Sequence, residues 1–314
     1  MRLEQYNSKY KEMWDSFVKN SKNGHFFFQR DYMEYHSDIF EDISLLAFND
    51  KKELISILPA SIKNKTLYSH QGLTFGGFVV NNKMKVETML ELFKALKLVC
   101  FDKNINKIIY KCTPYIYHLR PSDEDLYALF INDFKLIRRD VTTTINLFDK
   151  IKYQERRRRA VKIALKNDLI FEKTSDFNAY WNILEDVLKE QHDNKPVHSA
   201  EDIIKLANMF PDNIKLFVAK KNKRILGGTV IFENKQIVHT QYLANSIEGR
   251  DLGALDFVID RLINEIYNDK KYFDFGISNE KAGRYLNSGL IAQKEGFGAR
   301  AVVHNFYELN INEN

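Results

Sequence analysis

Residues 236–257 read "QIVHTQYLANSIEGRDLGALDF". Apolar residues alternate with polar ones in the first part, which predicts a strand over Gln236–Ala244. The second part predicts a glycine turn that opens a helix over Leu252–Asn268. A helix N-terminus offers free main-chain N–H groups and a positive dipole end, and both favour an anion. The segment therefore predicts a strand, an anion-binding loop and a helix in succession, with an ordinary turn before a helix as the alternative.

The predicted strand carries a candidate general base. Alternation places His239 and Gln241 on one face of the strand and Tyr242 on the other. An imidazole can accept a proton from an attacking amine at neutral pH. His239 is therefore a candidate catalytic residue, with a hydrogen-bonded core histidine as the alternative, and Gln241 is a candidate substrate contact.

A second strand follows in "YFDFGIS", residues 272–278, with aromatic side chains on one face. Asp274, Gly276 and Ser278 occupy the other face, which suggests a lined cleft, and a glycine permits close approach by a ligand. Asp274 is a candidate residue for orienting a reacting group or for acid–base catalysis. The alternative is that it makes only a structural hydrogen bond. We treat Ser278 as a candidate substrate contact.

A helix is predicted over Lys281–Lys294. On a helical wheel, Asn287 and Lys294 fall within an apolar stripe. A lysine in that position must either extend its ammonium group to solvent or meet an anion. Both residues are therefore candidate substrate contacts.

Upstream, "YQERRRRAVKIALKND" (residues 153–168) predicts a helix over Gln154–Asn167. A wheel projection places Arg156 and Arg157 on the apolar arc that includes Ile163 and Leu165, whereas Arg158, Arg159, Lys162 and Lys166 form a solvated face. An arginine that points inward needs an anion, because an unpaired buried charge is very unfavourable. The partner is either an internal carboxylate or a phosphate or carboxylate of a substrate.

The remaining chain predicts an α+β fold in two similar units, with elements such as a helix over Val86–Asp102 and a strand over Arg224–Glu233. Each half contains helices, an antiparallel meander, a further helix and two strands, so we expect a mixed, mostly antiparallel sheet flanked by helices in each. The predicted domains are 1–148 and 149–314.

Composition narrows the function classes. The 314 residues have a net charge of +5, but residues 150–166 contain eight basic residues and one acid, a net charge of +7, which leaves −2 for the rest. A duplex-binding protein usually carries positive charge over a whole face, so DNA binding is disfavoured. Cys100 and Cys112 lack metal-ligand spacing, and no metal site is expected. Without an apolar signal segment or membrane span, we expect a cytoplasmic protein.

The order of these motifs, from about Glu155 to Glu308, resembles the Fem-type peptidoglycan transferases, within the broader group of tandem GNAT-like acyltransferases. The resemblance implies two GNAT-like domains, an active centre in the second domain and acyl-CoA as donor. The family's pyrophosphate loop, R/Q-x-x-G-x-G/A, matches Arg250 and Gly253, but Leu255 stands where glycine or alanine is expected. The implied donor contacts are Tyr242, Ala244, Arg250, Asp251, Leu252, Gly253 and Ala254.

The implied activity is N-acyl transfer, in which an amine attacks a thioester directly and N–H groups near Tyr242–Ala244 polarise its carbonyl. The acceptor would be an amino sugar or another cell-envelope precursor amine. The resemblance places it between the domains, where His70, Gln71, His192 and His198 could contribute. A Fem-type transferase that uses aminoacyl-tRNA is one alternative, and a non-catalytic GNAT-fold binding protein is another. The sequence leaves the oligomeric state open.

Overall fold

The computed structural model describes residues 1–35, 37–192 and 195–311, and the side chains in these ranges except those of residues 191 and 192. The chain forms two compact units. Unit 1 comprises Met1–Asp140, Lys281–Gly283 and Val303–Asn314, and unit 2 comprises Val141–Glu280 and Arg284–Val302. Both units are therefore discontinuous in sequence. The predicted boundary between residues 148 and 149 stays a proposal.

The described residues of unit 1 form two sheets and four α-helices. Its strands are β1 (Arg2–Gln5), β2 (Glu41–Asp42), β3 (Leu45–Phe48), β4 (Leu54–Leu58), β5 (Ser61–Lys63), β6 (Thr66–Tyr68), β7 (Val79–Val80) and β8 (Lys107–Lys111). Its helices are α1 (Lys11–Asn20), α2 (Arg30–Glu34), α3 (Val86–Asp102) and α4 (Glu124–Ile131), with 3-10 turns at Ser8–Tyr10, Phe26–Phe28 and Tyr115–Tyr117. One sheet has the order β1-β3-β4-β7, and in the other β2, β5, β6 and β8 are successive neighbours.

Helix α3 shows why unit 1 folds as its sequence predicts. The helix has the predicted bounds, and Met89, Leu92, Phe93 and Leu96 are all buried along one face. They pack in one cluster with residues of β3, β4 and β8. A stripe at this spacing is the apolar face of an amphipathic helix.

Unit 2 contains the segments singled out in the sequence. Strand β9 (Lys135–Asn146) enters it from unit 1, and the strands that follow are β10 (Ile170–Thr174), β11 (Ile214–Lys221), β12 (Arg224–Glu233), β13 (Ile237–Asn245), β14 (Tyr272–Ile277), β15 (Asn279–Glu280), β16 (Tyr285–Leu286) and β17 (Arg300–Asn310). The helices are α5 (Glu155–Lys166), α6 (Phe177–His192), α7 (Ala200–Met209), α8 (Ile247–Asp251), α9 (Ala254–Arg261), a π-helical turn (Leu262–Ile266) and α10 (Ser288–Glu295).

The main sheet of unit 2 has the order β10-β11-β12-β13-β14-β9. Neighbouring strands are antiparallel except β13 and β14, which are parallel. Helix α9 packs on one face, because Leu255, Val258 and Ile259 share a buried cluster with Val238 and Phe273. Helix α6 covers the other face, where the Tyr180 hydroxyl donates to the Gly228 carbonyl at 3.2 Å. The predicted α+β class is confirmed.

Two predicted helices are wrong in their bounds. The predicted helix over Lys281–Lys294 begins only at Ser288, because Lys281, Ala282 and Gly283 have φ angles of 50°, 52° and 87°. Three consecutive residues in the left-handed region form a turn, which here joins the short strands β15 and β16. The helix predicted to begin at Leu252 is broken as well. Gly253, with a φ of 68°, separates α8 from α9.

Candidate active site

The main sheet of unit 2 opens between its two parallel strands. Strands β13 and β14 pair at three positions only, the last of which joins His239 to Asp274. Beyond this pair, β13 continues to Asn245 and β14 to Ile277 without further pairing between them. The region between the separated strands is called the gap below.

His239 and Asp274 form a hydrogen-bonded pair at the closed end of the gap. The His239 Nδ1 atom lies 2.7 Å from Asp274 Oδ2. Asp274 is completely buried, and the His239 side chain is 15% exposed. An ionised carboxylate can only accept, so Nδ1 carries the hydrogen and Nε2 is left as a proton acceptor. The sequence predicted both residues but gave no indication that they are bonded to each other.

Two threonines fix the Asp274 carboxylate. Its Oδ1 atom accepts hydrogen bonds from Thr142 Oγ1 and, at 2.8 Å, from Thr144 Oγ1. The Gly276 N–H donates to Oδ2 at 3.3 Å. These donors favour the ionised form of a buried carboxylate. Neither threonine is predicted from the sequence, because "TTT" at 142–144 shows only the β-branched character of a strand.

A β-bulge at Gln241 changes which side chains share a face. Ile231 pairs with Thr240 and Val230 pairs with Tyr242, so no β12 residue lies opposite Gln241. Cross-strand partners point to the same face, and Val230 and Ile231 point to opposite faces. Tyr242 consequently points to the α6 side, as His239 does, and the predicted placement on opposite faces is wrong. Gln241 itself is half-buried.

Tyr242 is held by residues of the α6–α7 region. Its hydroxyl lies 2.7 Å from His198 Nδ1, and the Trp181 ring packs edge-on against it with 5.1 Å between centroids. Burial raises the pKa of Tyr242. The hydroxyl is thus engaged by His198, and Tyr242 belongs to the α6 face of the sheet rather than to a donor cavity.

The main chain of β13 presents polar groups to the gap. Ser246 N donates to Leu226 O at 2.8 Å, which directs Ser246 toward β12. Successive residues of a strand direct their N–H and C=O groups to opposite sides. Leu243 and Asn245 therefore direct theirs toward the gap. Of the predicted segment Tyr242–Ala244, Leu243 is the residue positioned to polarise a carbonyl there.

A cavity of about 360 Å³ lies at the gap and is lined by residues of both α6 and α9. Its apolar lining consists of Val187, Leu188, Leu243, Leu255, Ile259, Phe275, Leu290 and Phe297. Its other lining residues are Ala244, Asn245, Arg250, Gln293 and Lys294. A mostly apolar cavity with a few polar groups is typical of a small-molecule site. We call it the gap cavity.

Lys294 is buried in the wall of the gap cavity. Its Nζ donates to the carbonyl oxygens of Gly276 and Ile277, each at 2.8 Å. Burial lowers the pKa of Lys294 to about 8, although the negative charge of Asp274 acts in the opposite direction. The predicted apolar stripe does not explain the position of Lys294, because residues 281–287, which were predicted to belong to the same helix, are not helical. Asn287 is instead the N-cap of α10 and accepts from Leu290 N at 3.0 Å.

The predicted donor loop differs from the structure. A second cavity of about 380 Å³, the outer groove, shares Val187, Asn245 and Arg250 with the gap cavity. Ala244 and Arg250 line one or both cavities, whereas five predicted donor contacts line neither: Tyr242, Asp251, Leu252, Gly253 and Ala254. The start of α9 is covered, because a Cβ on Gly253 would lie 2.3 Å from Ala160 O. Gly253 thus permits contact with α5, not with a pyrophosphate.

The outer groove is more acidic than an anion site would be. Asp186, Glu190 and Glu248 line it together with Arg224 and Arg250. One of these arginines, Arg224, is already paired with Glu248. The residues that remain do not form the positive pocket that a pyrophosphate would require.

Leu255 joins the domain core, as the spacing of Leu255, Ile259 and Leu262 suggests. It is 7% exposed and packs in the same cluster as Ile259 and Leu262. It also lines the gap cavity, which remains open beside it.

Arg156 and Arg157, which were both predicted to point inward, differ in burial and in their partners. Arg157 is partly buried and forms an ion pair with Asp256, with 2.7 Å between Nη1 and Oδ1. Burial raises the pKa of Asp256, although the charge of Arg157 acts in the opposite direction. Of the two partners left open for Arg157, the structure contains the internal carboxylate. Arg156 is exposed and donates to Ala292 O, so the prediction that it points inward is wrong.

The remaining predicted contacts are dispersed. Ser278 is 1% exposed, and its Oγ has no hydrogen-bond partner among the described residues. His70 lies in unit 1, where its carbonyl and that of Gln71 accept hydrogen bonds from Lys111 Nζ at 3.0 and 3.1 Å. The side chain of His192 lies outside the described residues. No group of three His, Cys, Asp or Glu residues in the described ranges could hold a metal ion.

The described helices include none that is long and apolar enough to cross a membrane. No protein-family model matches the sequence. No curated protein matches it either.

Solved structures share the fold over nearly the whole chain. FemX superposes with a TM-score of 0.67 at 13% identity and covers 97% of both chains. L-PGS from Bacillus licheniformis gives 0.64 at 10% identity over 99% of this chain and 94% of that one. A tandem GNAT protein from the clavulanic acid biosynthesis pathway gives 0.51 at 8% identity over 100% of both. At these identities the likeness concerns the fold alone, and the predicted tandem GNAT-like fold is confirmed.

Proposed function

We propose that the protein is an acyltransferase that moves an activated acyl group to an amine. The observation that carries this proposal is the His239–Asp274 pair at the closed end of the gap, next to a largely apolar cavity. A buried carboxylate that orients a histidine is the arrangement expected of a general base. The likeness to FemX and to the tandem GNAT protein is consistent with it.

In the proposed reaction the amine nitrogen attacks the carbonyl carbon of the donor. A C–N bond forms, and the bond from carbon to the thiol sulfur or ribose oxygen of the donor breaks. His239 Nε2 takes the proton that the amine loses, while Asp274 holds the ring and stabilises the imidazolium. The leaving sulfur or oxygen then takes this proton from the His239 imidazolium, so charge and atoms balance and the histidine is neutral again. Neither cysteine takes part, because both are buried in unit 1.

The carbonyl of the donor would lie in the gap, where its oxygen can accept from the Leu243 N–H. Main-chain donors aimed at a developing oxyanion contribute strongly to acyl transfer. Gly276 lies beside the His239 ring. A Cβ atom at Gly276 would lie 3.2 Å from His239 Cε1 and 3.7 Å from His239 Nε2. Gly276, with a φ of 75°, leaves that space to the amine.

Two donors remain candidates. Acyl-CoA is supported by the open gap cavity, since the turn of Leu255 into the core leaves room for a slender apolar chain. Aminoacyl-tRNA is supported by the covered start of α9 and by the acidic outer groove, because neither favours a pyrophosphate at the predicted loop. We rank the tRNA-borne donor first. The acceptor would be a primary amine of an amino sugar or of another cell-envelope precursor.

The test compares wild type with His239→Asn and Asp274→Asn in an acyl-transfer assay supplied with acetyl-CoA or aminoacyl-tRNA and a panel of amino sugars. Loss of a general base lowers turnover by roughly 10²–10⁴. Equal activity in all three proteins would contradict the assigned base. Binding of an amino sugar or nucleotide sugar without turnover of any donor would favour a non-catalytic binding protein.

A further inference from the structure

The gap cavity has a buried apolar wall and an open side. The wall consists of residues that belong to one core cluster and are each at most 7% exposed: Leu255, Ile259, Phe275 and Phe297. Asn245 and Arg250 line both the gap cavity and the outer groove, so the two cavities meet on that side. A group bound in the gap therefore has an apolar surface in one direction and an exit in the other.

The apolar wall is closely packed. The rings of Phe275 and Phe297 stack with 5.6 Å between their centroids, and the Phe273 ring packs edge-on against Phe275 with 5.1 Å between centroids. Leu255 packs into the same cluster instead of standing in the cavity. Closely packed interiors resist changes of volume. The wall consequently limits the length of a chain that enters the cavity.

The proposed reaction directs the acyl chain toward this wall. The amine meets His239 Nε2 beside Gly276, on the α6 side of the sheet, whereas Phe275 belongs to the cluster on the α9 side. The carbonyl lies in the gap at the Leu243 N–H. The carbonyl carbon has two other substituents, the carrier and the acyl chain. A large polar carrier must leave through the open side, so the acyl chain faces the apolar wall.

The volume of the cavity determines how long this chain can be. The cavity measures about 360 Å³. At roughly 30 Å³ for each small non-hydrogen group, it has room for about twelve such groups. An acetyl or glycyl group would leave most of the apolar wall uncovered. A longer apolar chain would cover it and remove its own surface from water, which is favourable.

The charges around the cavity disfavour a cationic chain. Lys294 and Arg250 line it, and none of the described residues that line it is acidic. An ammonium group at the end of the chain would lose its hydration beside a like charge. An anionic chain has little to gain from Lys294, because its Nζ already donates to two carbonyl oxygens and burial lowers its pKa to about 8.

We propose that the transferred acyl group carries an apolar chain of about four to eight carbons, which binds against the wall formed by Leu255, Ile259 and Phe275. This inference rests on the proposed acyl transfer, since it specifies the group that the reaction moves. The same chemistry could come from a thioester with a short fatty chain or from an aminoacyl ester with an apolar side chain.

Donor selectivity of the full-length protein tests the proposal. Transfer to the panel of amino sugars would be measured with acetyl-, succinyl-, hexanoyl- and dodecanoyl-CoA, and with glycyl-, lysyl-, leucyl- and phenylalanyl-tRNA. Each buried methylene group should raise kcat/KM about fourfold, so hexanoyl should exceed acetyl on the order of 10²-fold. Dodecanoyl should be poorer than hexanoyl, because it exceeds the cavity. With tRNA, leucyl and phenylalanyl should exceed glycyl and lysyl.

Substitution of Leu255 provides a second measurement. Leu255→Ala deepens the cavity and should move the preferred chain to a greater length, whereas Leu255→Phe should move it toward acetyl. Leu262→Ala is the matched control, because Leu262 is fully buried in the same cluster but is not among the described residues that line the cavity. It should lower stability and leave the preferred length unchanged.

Several results would overturn the proposal and leave the acyltransferase standing. They are a preference for acetyl or glycyl donors, a preference for succinyl or lysyl donors, and the same preferred length in Leu255→Ala, Leu255→Phe and wild type. Binding of hexanoyl-CoA in calorimetry without transfer from any donor would instead refute the proposed function and support the apolar site.

Discussion

The hydroxyl groups of strand β9 allow a test in which the chain supplies its own control. Thr142 and Thr144 both donate to the fully buried Asp274 carboxylate. Thr143, between them, is equally buried, but its Oγ1 has no hydrogen-bond partner among the described residues. Valine replaces the hydroxyl of each residue with a methyl group and keeps the β-branched shape. The three substitutions therefore make the same chemical change, but only Thr142 and Thr144 contact Asp274, since Thr143 points to the other face of β9.

The expected magnitudes follow from these contacts. Thr144→Val removes a hydrogen bond to a charged group, which stabilises by about 1.5–3 kcal/mol, and Thr142→Val should behave alike. Thr143→Val removes a desolvated hydroxyl without a partner, so unfolding free energy should be unchanged or rise by about 1 kcal/mol. For a cooperative unit of this size, the first two variants should lose roughly 3–12 °C in Tm.

The assay is urea unfolding followed by circular dichroism, with thermal unfolding as a second measurement. Similar losses for all three variants would refute the reasoning, because the effect would then come from packing of threonine in β9 and not from the bonds to Asp274. Unchanged stability in Thr142→Val and Thr144→Val would refute it as well.

Three further predictions concern Lys294, Arg157 and Gly253. Burial lowers the pKa of Lys294 to about 8, so the unfolded state binds more protons than the folded state between pH 8 and about 10.5, and the contribution of this group to stability rises with pH in that range. The gain in unfolding free energy from pH 7 to 9 should therefore be smaller in Lys294→Met than in wild type. An equal gain in the two proteins would contradict this prediction. Arg157→Ala leaves Asp256 buried and unpaired and should destabilise by about 3 kcal/mol, whereas Arg159→Ala should change stability by less than about 0.5 kcal/mol, as urea unfolding would measure. Gly253→Val should destabilise the fold even without a donor, because the Cβ of the new side chain would lie 2.3 Å from Ala160 O. Normal stability of this variant combined with lost donor binding would instead support the predicted contact of Gly253 with a pyrophosphate.

Local patterns in the sequence predicted elements well where one face is buried. Helix α3 has the predicted bounds, and strand β12 matches the predicted Arg224–Glu233, because alternation or a 3.6-residue period follows directly from burial of one side. The predicted helix over Lys281–Lys294 failed, since Lys281 and Ala282 adopt left-handed conformations that their residue types do not signal. Only the surrounding structure fixes such a turn.

The candidate site was predicted in part for the same reason. His239 and Asp274 were recognisable because a polar residue in an apolar strand needs a partner, but their pairing depends on strand order. The face of Tyr242 depended on the bulge at Gln241, which shifts every later residue of β13 by one position. Thr142 and Thr144 carried no signal, because a hydroxyl on a β-branched side chain is common in strands whether or not it meets a charge.

Strand β9 also has a consequence for dividing this protein into fragments. A fragment that begins at residue 149 would keep the His239–Asp274 pair and every residue that lines the gap cavity. It would nevertheless lose the segment that pairs with Tyr272, Phe273 and Asp274, and β14 would become an open edge rich in aromatic residues. Such an edge invites pairing between chains. Expression of residues 149–314 alone should therefore yield aggregates, while a fragment that begins before Val141 should keep β14 paired with β9, so the C-terminal half of the chain depends on a strand that precedes it.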